Sequence, residues 1–113
     1  MRTFVLALCV ASLAMPAVAD QNWMLPPDGV YCPAKGQDIY AIVVGPNGGL
    51  GIDGLDCPVV TLSRGRVRSP KCWANGDSEA PYETDLLILP SGSMVHGSVL
   101  FRRWTGPLPC PHS

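Results

Sequence analysis

Ser78, Asp85 and His96 are the side-chain types of a nucleophile, an orienting carboxylate and a general base. Acyl hydrolysis by such a set needs the three within hydrogen-bond reach, with donors ready for the oxyanion. Nothing in their spacing supplies either, and no G-x-S-x-G elbow surrounds Ser78. We assign no catalytic residue. Met94 and His96 place a thioether and an imidazole on one strand face, and His112 could join them as soft ligands for copper. A surface His beside a Met packing partner is the plainer account, so no metal and no cofactor is assigned. Arg64, Arg66 and Arg68 alternate at period two and fall on one face of a strand. Guanidinium groups capture carboxylate or phosphate in bidentate fashion. These three, with Arg103, are the candidate binding residues for an anionic ligand, and Lys71 and Arg102 extend the set. The competing account is a solvated face paired with Asp77, Glu79, Glu83 and Asp85. Trp23, Trp73 and Trp104 are each able to stack on a sugar, but are expected to fill or seal a small core.

One short resemblance touches the first of these sets. Residues 76–81 (GDSEAP) resemble the G-D-S-G-G-P around the nucleophile of chymotrypsin-like proteases. The likeness implies a nucleophilic Ser78 and fails on two counts. Glu79 replaces a Gly that lets substrate approach, and the chain is too short for the two barrels of that family. Residues 74–81 are read as a polar loop.

The elements that must position any site are short. Residues 1–19 read as a cleavable leader: Arg2, an apolar run over residues 4–15, Pro16, then Ala17-Val18-Ala19 as the cleavage site. The run is too short to cross a membrane, so no transmembrane anchor is expected after cleavage. Removing 19 of 113 residues leaves 94, one small domain with an extended tail over residues 106–113. Losing Arg2 takes the formal charge from −1 to −2, which argues against nucleic-acid binding driven by net charge. All 12 Gly and 11 of the 12 Pro remain, and no stretch free of both exceeds eight residues. Interior Pro costs a helix about 3 kcal/mol and Gly about 1 kcal/mol, so helices of ordinary length are excluded. The fold class is all-β: a small antiparallel β-barrel or sandwich of about seven strands. The strands are expected over residues 29–32, 39–44, 50–53, 57–62, 66–72, 84–89 and 94–104. Asn47-Gly48 is expected to form a type I′ hairpin turn. In the last strand, Val95, Gly97, Val99, Phe101 and Arg103 are expected to share the core face.

Four Cys survive the leader, and an even number in a short exported chain reads as two disulfides. A two-residue turn at Arg64-Gly65 pairs Ser63 with Arg66. The same register carried onward sets Cys57 against Cys72. Cys32 and Cys110 then pair by elimination. A repeated D-G-x-x-C-P at residues 28–33 and 53–58 favours the rival Cys32–Cys57 link.

The function these features suggest is an exported, periplasmic or secreted, non-enzymatic binding module. Its expected partner is an envelope or secreted protein, such as an enzyme that it inhibits, or an anionic ligand. Alternatives are an accessory subunit of a larger periplasmic assembly, or a small hydrolase or copper carrier.

Overall fold

The computed structural model describes residues 23–74 and 78–111. The expected leader, Asp77 and His112 lie outside the described residues. Ten short strands follow in order: β1 (Gly29–Pro33), β2 (Ile42–Val44), β3 (Leu50–Ile52), β4 (Leu55–Cys57), β5 (Thr61–Ser63), β6 (Arg66–Trp73), β7 (Glu79–Asp85), β8 (Leu87–Ile88), β9 (Met94–His96) and β10 (Val99–Trp104). All pairings are antiparallel, along the path β5-β6-β4-β3-β2-β1-β10-β9-β8, with β7 on β6. The sheet curls into a half-barrel. Its two ends meet through the chain itself, because Leu86 carries β7 across to β8.

Turn chemistry sorts the two ends of the half-barrel. Three two-residue turns have positive φ at both positions: Asp53-Gly54 and Gly97-Ser98 at one end, hereafter the mouth, and Arg64-Gly65 between β5 and β6. That is the type I′ geometry, whose twist matches paired strands. The loop over residues 34–41 and the Leu86 corner lie at the same end. At the far end two loops share another design. Gly45 and Leu89 each open a turn with Pro next and a positive-φ Gly after it (Gly48, Gly92). Each loop closes with a 2.9 Å bond, from Gly45 N–H to Gly49 and from Leu89 N–H to Ser93. Asn47 therefore does not sit in a type I′ turn. Pro46 presets φ for a type I turn one residue earlier, and Gly48 takes the left-handed position.

The Arg64-Gly65 turn sets the expected register, with Ser63 opposite Arg66 and Thr61 opposite Arg68. The ladder breaks over residues 58–60 beside Pro58, then resumes in phase with Asp56 opposite Trp73. Both disulfides follow, Cys57–Cys72 and Cys32–Cys110, with Cα separations of 4.2 and 5.7 Å. A β-bulge between Ser69 and Cys72 absorbs Pro70. The buried Ser69 hydroxyl steadies it by donating to the Val59 carbonyl at 2.6 Å and accepting from Lys71 N–H at 3.3 Å. Stable disulfides of this kind belong to an oxidising compartment. No helix of the described residues is long and apolar enough to cross a membrane.

Several expectations are corrected. Residues 94–104 are not one strand. The Gly97-Ser98 turn folds them into a hairpin in which Met94 faces Phe101 and His96 faces Val99. Met94 and Phe101 are both buried, so the inner face draws from both halves of the alternation, and each large buried side chain contributes about 1.5–3 kcal/mol. Residues 79–81 of the expected loop are strand, because β7 begins at Glu79. The D-G-x-x-C-P echo has two conformations: Asp53-Gly54 is a turn, whereas Gly29 (φ 146°) lies within β1 opposite Val44. The tryptophans are not core. Trp23 is 63% exposed, Trp73 sits on the outer face, and Trp104 lies against the tail, donating from Nε1 to the Pro107 carbonyl at 3.0 Å. The core is instead Tyr31, Ile42, Val44, Leu50, Ile52, Leu62, Val67, Leu86, Ile88, Met94 and Phe101.

Candidate ligand-binding site

The mouth concentrates the polar geometry of the molecule. Asp53 sits at φ 52° in the β3–β4 turn, a left-handed position that Asp tolerates better than most residues. Its carboxylate accepts from His96 Nε2 at 2.9 and 3.0 Å, and from the Tyr82 hydroxyl of β7. His96 Nδ1 faces the Asp85 backbone carbonyl at 2.8 Å. The Asp85 carboxylate accepts from Gly97 N–H at 2.7 Å, which ties the end of β7 to the β9–β10 turn. Three separate chain segments are thus pinned around one imidazole.

This arrangement favours the charged form of His96. A carbonyl and a carboxylate only accept, so both contacts are satisfied when both ring nitrogens donate, and only the imidazolium carries two N–H groups. Burial is the largest single influence and disfavours the charge. The Asp53 hydrogen bond, the Asp85 carbonyl and the two carboxylate charges together outweigh it, and the His96 pKa lies above its ordinary value. The Asp85 pKa is lowered, chiefly by the Gly97 N–H bond. Burial and then the bond to Asp53 raise that of Tyr82.

Beside this cluster opens a cleft of about 710 Å³. Ile39, Val99 and Phe101 form its apolar wall, and Asp38, Asp53 and His96 its polar rim. Tyr40 stands over it, 69% exposed. Gly54 makes room for that ring, since a Cβ there would meet the Tyr40 ring at 3.1 Å. Ile39, also exposed, extends the apolar surface outward.

The sequence candidates distribute as follows. Asp85 and His96 do come together, but Ser78 lies at the opposite end of β7, roughly 20 Å away at the rise of a strand. In its charged form His96 has no lone pair to offer a nucleophile. Met94 is buried in the core below His96, and among the described residues no group of three or more His, Cys, Asp or Glu could hold a metal. Arg66 and Arg68 share Glu83, at 3.1 and 3.7 Å, and Lys71 pairs with Glu79 at 3.5 Å. Arg64 occupies the turn rather than the strand face. Arg103 lies on β10, with β4, β3, β2 and β1 between it and β6 along the path. It spans Gly29 to donate to the Asp28 carbonyl at 2.7 Å. Asp38, Tyr40, Asp53 and Tyr82 were not recognisable as site residues by type. The usable clue was Asp53-Gly54, a type I′ dipeptide that places its Asp at a strand end. Comparison of the chain with known families, characterised proteins and solved structures gives no match.

Proposed function

We propose that this protein is an exported binding module, acting without catalysis, whose ligand seats in the cleft at the barrel mouth. The observation that carries the reading is the pairing of an apolar-walled cleft with exposed Ile39 and Tyr40 at the barrel mouth. Barrel mouths with a few convergent polar groups are favoured ligand sites. The framework is suited to binding: two disulfides and the His96 pin hold the loops in place, so less entropy is lost on association. The leader-like N-terminus and the disulfides support an exported location, periplasmic or secreted.

The test is retention of a partner from extracellular or periplasmic extract by the immobilised disulfide-bonded protein. A component retained by the wild type and by Val59→Ser, but lost with Tyr40→Ala, supports the reading. Val59 is 64% exposed and lies away from the cleft lining, so it reports nonspecific apolar adhesion. Equal loss with both variants, or with neither, counts against the mouth as the binding site.

A further inference from the structure

We propose that the mouth cleft receives an arginine side chain presented by a partner protein, an inference that rests on the cleft being the ligand site. The charge pattern comes first. Asp38 and Asp53 stand on the rim, and the one cation of the lining, His96, is already spent between Asp53 and Asp85. The Asp38 carboxylate makes no ion pair or hydrogen bond within the described residues. Asp53 retains capacity as well, since an ionised carboxylate offers about four lone-pair sites. An incoming anion would face an unneutralised Asp38, whereas a cation would neutralise it.

The apolar part of the cleft selects the kind of cation. Arginine buries its methylene stem along apolar surface while its head stays polar. Ile39, Val99 and Phe101 supply that surface. The exposed Tyr40 ring, held by its contact with Gly54, offers a face on which a planar guanidinium stacks.

A second groove argues for a polypeptide rather than a free amine. About 330 Å³ in volume, it shares Asp38 and Ile39 with the cleft and continues past Val43 and Leu108. These two side chains are 42% and 60% exposed. A free guanidinium compound fills one groove. A chain with arginine in the cleft and an apolar neighbour in the second groove fills both.

Amide chemical-shift titration of the disulfide-bonded protein tests this with three probes. They are a capped tripeptide amide with arginine between two leucines, its citrulline counterpart of the same shape without charge, and butylguanidinium. The arginine peptide is expected to shift the amides of Ile39, Tyr40, Gly54 and Gly97 saturably, and to bind at least about threefold tighter than either other probe. Asp38→Asn, at an exposed and unpartnered position, should fold normally and weaken the arginine peptide by a similar factor. Equal affinity for the citrulline peptide, or no effect of Asp38→Asn, overturns the cationic occupant while the cleft remains the ligand site. Butylguanidinium binding as tightly as the peptide overturns the polypeptide partner. No saturable shift at these amides with any probe overturns the arginine occupant, while the cleft reading stands or falls by the Tyr40→Ala retention test.

Discussion

Removing each disulfide separately gives a quantitative test of the topology. The Cys32–Cys110 bond closes a separation of 78 residues and Cys57–Cys72 one of 15. In the chain-entropy model these contribute about 4.5 and about 3 kcal/mol, a difference of about 1.5 kcal/mol. Packing shifts this in both directions. The long link holds the tail over the outer face of β1 and β2, where Leu108 and Pro109 border Val30 and Val43, and losing it uncovers that surface. The short link is the more deeply buried, with both cysteines 1–2% exposed, so its removal sacrifices more packing. Paired replacement by Ala avoids a free thiol and a buried hydroxyl in both cases. The Cys32→Ala/Cys110→Ala variant should be less stable than Cys57→Ala/Cys72→Ala by about 1 kcal/mol. Equilibrium urea unfolding resolves that as a midpoint difference on the order of 0.5–1 M. Equal stability, or the reverse order, would refute the reasoning that loop closure dominates here.

Three further outcomes are expected. The raised His96 pKa contributes stability that is complete below about pH 6.5 and lost as pH rises through the folded-state value, while the lowered Asp85 pKa contributes stability present above about pH 3.8 and lost as pH falls through its own. The melting temperature should therefore peak between these limits and fall as pH rises through the folded-state value of His96, and His96→Gln should flatten the alkaline limb; an unchanged limb in that variant would remove His96 from the account. Gly54→Ala and Gly48→Ala both force Ala to positive φ, at a cost of about 1–2 kcal/mol, but only the first meets a ring, so Gly54→Ala should be the less stable in chemical denaturation and the one that displaces Tyr40 resonances. Replacing Arg64, Arg66 and Arg68 together by Ala should change stability by no more than about 1–2 kcal/mol, because the pairs to Glu83 are exposed. It should also abolish any salt-dependent association with anionic vesicles, and a retained salt slope would clear this face of an anion-binding role.

The parts of this structure that local rules govern were legible in the sequence. Arg64-Gly65 has to turn, its register places Cys57 opposite Cys72, and the density of Gly and Pro removes helices. What escaped is set by tertiary pairing. Gly97-Ser98 is a hairpin dipeptide, but it sits inside an alternation that reads straight through it, which masked the reversal that brings Met94 onto Phe101. The bend at Leu86 has no turn residue; it is held by a 2.9 Å bond from its N–H to the Gly65 carbonyl, across the sheet. The site shows the same division. Asp85 and His96 were visible as residue types. Their third partner, Asp53, arrives from a turn more than thirty positions earlier in the chain, and Ser78 belongs to the far end of the same strand that brings Asp85 to the mouth.

Photo-crosslinking from the mouth addresses the binding role most directly. A benzoylphenylalanine replacing Tyr40, in the protein expressed in living cells, places the reactive ketone over the cleft. The same residue replacing Val59 serves as the control on an equally exposed apolar position. The binding reading predicts a discrete adduct from position 40 that is absent from position 59. Adducts of equal yield from both positions, or none from position 40 under conditions where the protein is folded and oxidised, would contradict it.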